Sequence, residues 1–209
     1  MTLYALKPRF QSLLRPIVRV LHRLGITANQ VTVVAAAGSV ALGAALAARL
    51  ATDPAQVAVF LLLPVWMFLR MALNAIDGML AREFDQASVL GGYLNELADL
   101  VSDAALYLPF ALLPGVGPWP VVAVVVAAQW VEFAGVFGQP AGSRRNDGPM
   151  GKSDRALAFG LLGLLVGAGI VAPGAWLGWV LWCIAALCIA TVARRVRRGI
   201  AQTGDTARL

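Results

Sequence analysis

The chain has 209 residues, of which 59% are hydrophobic and 13% are charged, and its mean hydropathy is +0.75. Because soluble domains carry about 25% charged residues, this composition excludes an ordinary soluble enzyme and is typical of an integral membrane protein. The formal net charge of +6 does not indicate a nucleic-acid-binding protein, since the basic residues flank apolar segments, as they do in membrane proteins.

The first segment, residues 1–29, is basic and amphipathic. Its apolar residues recur at near-helical spacing, with lysine and arginine between them. This pattern is typical of a helix that lies on an anionic membrane surface. The segment has neither a continuous apolar core nor a small-residue cleavage site, which argues against a signal peptide.

Six apolar runs follow the amphipathic segment. They cover residues 31–50, 55–76, 92–113, 119–138, 156–172 and 174–193. Each is close to the roughly 20 residues that cross a bilayer core as a helix. The sequence therefore predicts an all-α integral membrane protein, with a six-helix transmembrane domain over residues 30–193 and a basic tail over residues 194–209.

Basic residues predict the orientation of these helices. They crowd the N-terminal segment, the loop 144–155 and the tail, whereas the turns at 53–54 and 114–118 have none. By the positive-inside rule, both termini face the cytoplasm, which indicates a multi-pass protein of the inner, cytoplasmic membrane. The loop between the second and third helices then faces the cytoplasm as well.

A cluster of carboxylates and carboxamides flanks that loop. Asn74 and Asp77 are three residues apart on the second helix, and Asn95, Asp99 and Asp103 are each four apart on the third. Each set shares a helix face, and the two faces converge if the helices are antiparallel neighbours joined by residues 83–90. Converging oxygen ligands indicate a site for a hard divalent cation, Mg²⁺ or Mn²⁺.

Small residues and an arginine accompany the cluster. Gly78, Ala81 and Gly91 would let a ligand approach the backbone closely. The planar fork of Arg82 suits a phosphate. Together these residues favour a phosphorylated ligand beside the cation.

The spacing of these residues resembles the signature of the CDP-alcohol phosphotransferases, also called CDP-alcohol phosphatidyltransferases. That signature runs D-x-x-D-G-x-x-A-R, then eight residues, then G-x-x-x-D-x-x-x-D. The residues that fall in register are Asp77, Gly78, Ala81, Arg82, Gly91 and Asp99. Asn74 and Asn95 stand where the first and third aspartates are expected.

The resemblance implies an enzyme of phospholipid biosynthesis whose catalytic domain is the six-helix unit. In this family the four aspartates hold a pair of divalent cations on the diphosphate of a CDP-alcohol, and the last aspartate is the proposed base. Here Asp99 would be that base, and Asn74, Asp77, Asn95 and Asp99 would hold the metal. An acceptor hydroxyl would attack the lipid-side phosphate of the donor, expected to be CDP-diacylglycerol, and release CMP. The resemblance also implies a homodimer.

The two asparagines leave several outcomes open. A carboxamide oxygen still ligates a hard cation, but two negative charges are lost from the site. The site keeps a single cation, recruits Asp103 or Asp85 as a further ligand, or loses catalysis. A shifted register, with Asp99 and Asp103 as the last two aspartates, stretches the spacer, so the register that begins at Gly91 is preferred.

The entry to the first membrane helix also resembles the family, which has P-N-x-x-T there. Ala28 stands where proline is common, and Asn29 and Thr32 match the asparagine and threonine. The resemblance implies that both lie near the nucleotide. Thr27 alone is a plausible helix N-cap, and the sequence weighs the two interpretations about evenly.

A second basic cluster precedes the fifth helix and consists of Arg144, Arg145, Lys152 and Arg155. Lys152 and Arg155 are close to one turn apart at a helix N-terminus, where backbone amides already favour anions. These residues are either ordinary anchoring charges or a site for the phosphate of the acceptor. Family members with phosphorylated acceptors carry a similar G-K-x-x-[KR] element, and this resemblance favours the second interpretation.

Two further charges lie inside apolar runs and need partners or a wet cavity. Arg70 is placed to reach either the cytidine diphosphate or a site carboxylate. Glu132 is expected to pair with a basic residue such as Arg70 or Lys152.

Two other functions are compatible with parts of the pattern. A catalytically degenerate relative would bind a CDP-lipid or a partner without turnover. A small transporter would also have several membrane helices around a polar cluster, although the tight register of the signature disfavours it.

Overall fold

The computed structural model describes residues 3–138 and 147–206, which form seven α-helices and two short 3₁₀ helices and contain no strand. The α-helices are α1 (Leu3–Arg23), α2 (Ala28–Thr52), α3 (Leu62–Glu83), α4 (Val89–Tyr107), α5 (Pro118–Val136), α6 (Lys152–Gly167) and α7 (Ala175–Thr206). The 3₁₀ helices cover Val57–Leu61 and Leu108–Leu112. The predicted all-α class is confirmed, and α7 continues as a helix into the basic tail.

Four stretches of the described chain are long and apolar enough to cross a membrane, which makes this a multi-pass membrane protein. They are Ala28–Thr52, Val57–Glu83, Pro118–Val136 and Ala175–Ala201. The predicted count of six is not confirmed. Helix α4 has 19 residues but carries Glu96, Asp99 and Asp103, and α6 has only 16 residues and begins with a charged turn. Polar residues of the candidate site thus lower the apolar character of α4 and α6.

The amphipathic helix α1 packs against the membrane helices at the end of α3. Leu14 and Val18 of α1 join a buried cluster with Ile76 and Leu80 of α3. Arg15 donates two hydrogen bonds to the carboxylate of Glu83, the last residue of α3. Burial of the apolar face of α1 therefore fixes this helix beside the turn that carries the signature residues.

The main core joins α2, α3, α4, α5, α6 and α7 and is rich in aromatic side chains. Tyr107 and Phe159 stack with ring centroids 3.7 Å apart, and Phe110 meets both Phe60 and Phe159 edge to face. All four of these side chains are fully buried. Aromatic packing of this extent makes the helices a rigid frame for the polar residues.

Helices α2 and α4 approach each other closely at Gly43. A Cβ atom on Gly43 would lie 2.1 Å from the carbonyl oxygen of Ala105, so only glycine fits. Close approach at small residues is a common way to pack membrane helices. This contact sets the position of α4 relative to α2.

The connection between α3 and α4 is short, as the sequence predicted. It consists of residues 84–88, with Asp85 at a φ of +53°. Ser88 caps α4, since its hydroxyl accepts a hydrogen bond from the N–H of Gly91. The turn brings the end of α3 and the start of α4 to one end of the molecule.

Candidate active site

The start of α2 supplies one wall of the site. Thr27 and Gln30 form a capping box in which each side chain bonds to the other's backbone N–H. The cap at Thr27, one of the two interpretations that the sequence left open, is therefore confirmed. One turn into α2, the hydroxyl of Thr32 lies 2.8 Å from Oδ2 of Asp77 on α3, and both side chains are buried.

The start of α2 also contacts the turn and the start of α4. The N–H of Ala28 donates to Oε1 of Gln86 over 2.7 Å. The side chain of Asn29 lies over Gly91, where an added Cβ would be 2.7 Å from its Oδ1 atom. Thus Asn29, Thr32, Asp77 and Gly91, which the resemblance assigned to one site, lie at one end of the bundle.

Asp99 of α4 lies in the middle of the site and is held by two cationic side chains. Nη2 of Arg70 donates to its Oδ1 over 3.1 Å, and the ammonium of Lys152 donates to its Oδ2. Asp77 lies close enough to Asp99 and Lys152 to interact with both charges. The two aspartates of the signature thus share one electrostatic environment.

Asp103, one turn further along α4, accepts hydrogen bonds on both carboxylate oxygens. Nη1 of Arg70 lies 2.7 Å from Oδ1, and Nη2 of Arg155 lies 2.9 Å from Oδ2. Nη2 of Arg155 also lies 2.8 Å from Oε1 of Glu132 on α5. A chain of alternating charges therefore connects α3, α4, α5 and α6; we call it the charge network. Its members are Lys152, Asp99, Arg70, Asp103, Arg155 and Glu132.

The two asparagines of the signature differ from the aspartates around them. Asn74 and Asn95 are half-buried, and their side chains make no hydrogen bond with the rest of the described chain. Arg82 is exposed, and its guanidinium lies over Gly78, 3.1 Å from the position of an added Cβ. These side chains remain available to a ligand.

A divalent cation at this site would depend on carboxamide oxygens as well as carboxylates. Within the described residues, no group of three or more His, Cys, Asp or Glu side chains is arranged to hold a metal ion. The carboxylates of Asp77 and Asp99 and the carbonyl oxygens of Asn74 and Asn95 are nevertheless hard donors of the kind that Mg²⁺ and Mn²⁺ prefer. The donor chemistry of these residues fits a hard divalent cation.

The second basic cluster divides into parts with different environments. Lys152 begins α6 and its side chain is 32% exposed. Arg155 is fully buried, and its guanidinium forms ion pairs with Asp103 and Glu132. That guanidinium is therefore not exposed to an acceptor substrate. Arg144 and Arg145 lie outside the described residues.

The partners of two buried charged residues were not expected from the sequence. Glu132 finds a basic partner, as expected, but that partner is Arg155 rather than Arg70 or Lys152. Arg195 is buried and donates to the backbone oxygens of Asp147 and Val131, although the sequence placed it among tail charges. A buried glutamate signals only that some cation is near, and nothing in the basic run 194–198 distinguishes Arg195.

Comparison with known proteins identifies the family. The statistical model of the CDP-alcohol phosphatidyltransferases matches residues 25–190, which include every described residue of the site. The chain belongs to the CDP-alcohol phosphatidyltransferase family.

Two curated relatives extend this assignment. The chain is 47% identical over 192 residues to the inner membrane protein YnbA of Escherichia coli K12, covering 90% of this chain and 91% of that protein. It is 29% identical over 129 residues to the archaetidylinositol phosphate synthase of Aeropyrum pernix, covering 53% of this chain and 66% of that protein.

Solved structures of another protein share the fold of this chain. The phosphatidylinositol phosphate synthase of Mycobacterium tuberculosis, in complex with manganese and citrate, has a TM-score of 0.69 at 19% identity, over 88% of this chain and 87% of that one. The same enzyme with CDP-DAG bound has a TM-score of 0.68 at 19% identity, over 88% and 92%. At this identity the likeness concerns the fold alone.

Proposed function

We propose that this protein transfers a phosphoalcohol group from a CDP-alcohol to a hydroxyl acceptor and releases CMP, as a step of phospholipid biosynthesis. The observation that carries the proposal is the juxtaposition of Asp77 and Asp99 with Thr32 and Lys152 at one end of a membrane helix bundle. Family membership supports the reaction class, and a relative's structure with bound CDP-DAG supports CDP-diacylglycerol as the donor.

In the proposed reaction, the acceptor oxygen attacks the lipid-side phosphorus of the donor. A bond forms between that oxygen and phosphorus, the bond from phosphorus to the oxygen that it shares with CMP breaks, and CMP leaves with the bonding electrons. Asp99 accepts the proton of the acceptor hydroxyl as the general base. Arg70 holds Oδ1 of Asp99, so Oδ2 is the oxygen that faces Lys152 and takes part in the reaction.

The proposed metal ligands are Asp77 and Asp99 with the carbonyl oxygens of Asn74 and Asn95. A bound Mg²⁺ or Mn²⁺ would neutralise negative charge on the donor diphosphate. Thr32 orients Asp77 through its hydroxyl. We leave Asp103 out of the ligand set, because both of its oxygens accept hydrogen bonds from buried arginines.

We assign the CDP-alcohol to the surface formed by the start of α2, the end of α3 and the start of α4. Arg82 would bind a phosphate through its guanidinium, and Gly78 and Gly91, which lie under the side chains of Arg82 and Asn29, are further members of this subsite. The other members of this predicted subsite are Asn29, Thr32 and Ala81.

The acceptor is proposed to be phosphorylated and to bind at the start of α6. Lys152 is half-buried there, so its ammonium is able to leave Asp99 for an acceptor phosphate. Arg144 and Arg145 remain predicted members of this subsite. Arg155 acts instead through the charge network, because its guanidinium is buried between two carboxylates.

In the membrane, we propose six spans with α4 and α6 added to the four apolar stretches, both termini in the cytoplasm, and a homodimer. The positive-inside rule and the acidic site on α4 support this arrangement. Reporter fusions at each terminus test the orientation, and cross-linking in native membranes tests the dimer. A periplasmic terminus would contradict the proposed topology.

The test of the function is CMP release from CDP-diacylglycerol by purified protein with Mg²⁺ or Mn²⁺ across phosphorylated and plain polyol acceptors. We expect acceptor-dependent release that a chelator abolishes and added Mn²⁺ restores. Asp99→Asn should lose release while the protein still folds. Asp53→Asn is the matched control, because Asp53 ends α2 at the opposite end from the site and bonds only its own turn.

The second function that an observation favours is CDP-lipid binding without turnover. Asn74 and Asn95 reduce the negative charge of the metal site, and Asp99 forms ion pairs with the side chains of Arg70 and Lys152. Binding of CDP-diacylglycerol at normal affinity, with no CMP release in any cation or acceptor, would establish this alternative.

A further inference from the structure

We propose that this site holds one divalent cation and that Arg70 supplies a second, built-in positive charge beside Asp99. This inference deepens the proposed function by setting the number of metal ions, and therefore rests on it. It follows from the occupancy of the carboxylate oxygens of Asp77, Asp99 and Asp103.

Few carboxylate oxygens remain for a metal ion. Both oxygens of Asp103 accept hydrogen bonds from guanidinium groups, and Oδ1 of Asp99 accepts one from Arg70. Asp77 accepts hydrogen bonds from neutral groups, namely the hydroxyl of Thr32 at Oδ2 and the backbone N–H of Gly78. Among these three aspartates, the donors left are therefore Asp77 and Oδ2 of Asp99.

The partners of these oxygens differ in how easily they move. The side chains of Arg70 and Arg155 are 4% and 1% exposed. Withdrawing either one would leave buried carboxylates without a counter-charge, which is strongly unfavourable. Lys152 is 32% exposed, so it is able to swing into solvent and release Oδ2 of Asp99. The arginines are fixed parts of the site and the lysine is not.

The remaining charge matches one divalent cation. Asp77 and Asp99 contribute two negative charges, which neutralise one such ion. Paired ions sit about 3.5–4 Å apart and need negative ligands around and between them. Asn74 and Asn95 offer only neutral oxygens. Arg70 lies about one turn before Asn74 on α3, and its guanidinium donates to Asp99. A positive charge therefore lies beside Asp99, where a second cation would need negative ligands.

The test counts Mn²⁺ ions bound to the full-length protein in a zwitterionic detergent, by the loss of the free-ion electron paramagnetic resonance signal. We expect one ion per chain. The double variant Asn74→Asp with Asn95→Asp restores two carboxylates at half-exposed positions and should bind two ions whose spectra show mutual dipolar broadening. Two ions in the unmodified protein, or none, would overturn the inference.

Variants of Arg70 test its part directly. Arg70→Gln frees Oδ1 of Asp99 and removes a positive charge from beside the metal site, so Mn²⁺ binding should tighten by about 10-fold or more. Arg70→Lys keeps the charge and should leave both the count and the affinity nearly unchanged. If Arg70→Gln folds and binds Mn²⁺ as the unmodified protein does, the assignment of Arg70 is overturned. If Arg70→Gln does not fold, the double variant Asn74→Asp with Asn95→Asp still decides the number of ions.

CMP release from the same preparations separates this inference from the proposed function. CMP release with two bound ions overturns the single-cation site and leaves the transferase intact. One bound ion without CMP release supports the single-cation site and contradicts the transferase.

Discussion

Arg155 of α6 and Glu132 of α5 form an ion pair of 2.8 Å inside a bundle of apolar helices. The same Arg155 nitrogen also bonds Asp103 of α4. A fully buried arginine shared by two carboxylates from different helices joins three helices behind the site. The pair therefore supports the position of Asp103, and through Arg70 that of Asp99.

Removing this arginine should destabilise the protein strongly. Arg155→Met leaves two buried carboxylates short of positive charge, and we expect a loss of about 3–5 kcal/mol in the free energy of unfolding. Arg197→Met is the control, because Arg197 is exposed on α7 and should change the free energy by less than about 0.5 kcal/mol. Unfolding in detergent, followed by circular dichroism, measures both; equal effects would argue against a structural network.

Removing the hydroxyl of Thr32 should impair catalysis without unfolding the protein. Thr32→Val keeps the shape of the side chain and deletes the hydrogen bond to Asp77. A hydrogen bond to a charged group contributes about 1.5–3 kcal/mol, so kcat/KM for CMP release should fall by about 10- to 100-fold. Thr52→Val is the control. The hydroxyl of Thr52 donates to the backbone oxygen four residues earlier, as that of Thr32 also does, but Thr52 is exposed at the other end of α2. Unchanged kcat/KM in Thr32→Val would remove Thr32 from the site.

Two adjacent glycines should respond differently to alanine. In Gly91→Ala the new methyl group would meet Asn29 at 2.7 Å, whereas a Cβ on Gly92 meets nothing within 4 Å. Because displacement of a ligand-positioning side chain by about 1 Å reduces rates by up to about 100-fold, Gly91→Ala should lower kcat/KM for the CDP-alcohol and Gly92→Ala should not. The measurement is CMP release over a range of donor concentrations. Equal activity of the two variants would contradict the assignment of Asn29 to the donor subsite.

The ion pair between Arg15 and Glu83 should contribute little to stability. It is bidentate, but the two side chains are 43% and 36% exposed, so water and salt screen the attraction. A double-mutant cycle with Arg15→Ala and Glu83→Ala should give a coupling energy close to zero. A large coupling energy would show that α1 is held by charge rather than by its apolar face.

The sequence predicted the helical class and the short turn between α3 and α4, and it left the cap at Thr27 as one of two interpretations. These features depend on neighbours in the chain: apolar runs without charges, a serine before a helix start, and a capping-box pair. The spacing of the signature also predicted which residues meet at the end of the bundle. Such spacing survives folding because residues three or four apart share a helix face.

Sequence patterns could not establish the number of membrane spans. The run 92–113 has the length of a span, yet its helix carries three acidic side chains, and the run 156–172 yields a helix of 16 residues. Length and hydropathy identify a span whose side chains face lipid. They do not identify a helix whose charged side chains contact neighbouring helices inside the bundle.

By itself, the sequence determined the family, the membrane-embedded helical class and the candidate site residues, because each of these depends on residue types at fixed spacings. Only the tertiary structure decided which charges neutralise one another. Arg70 is 29 and 33 residues from Asp99 and Asp103, and Arg155 is 23 residues from Glu132, so no local rule pairs them. Their pairing follows from helix packing, in which buried cations contact the carboxylates that the neighbouring helices bring within reach.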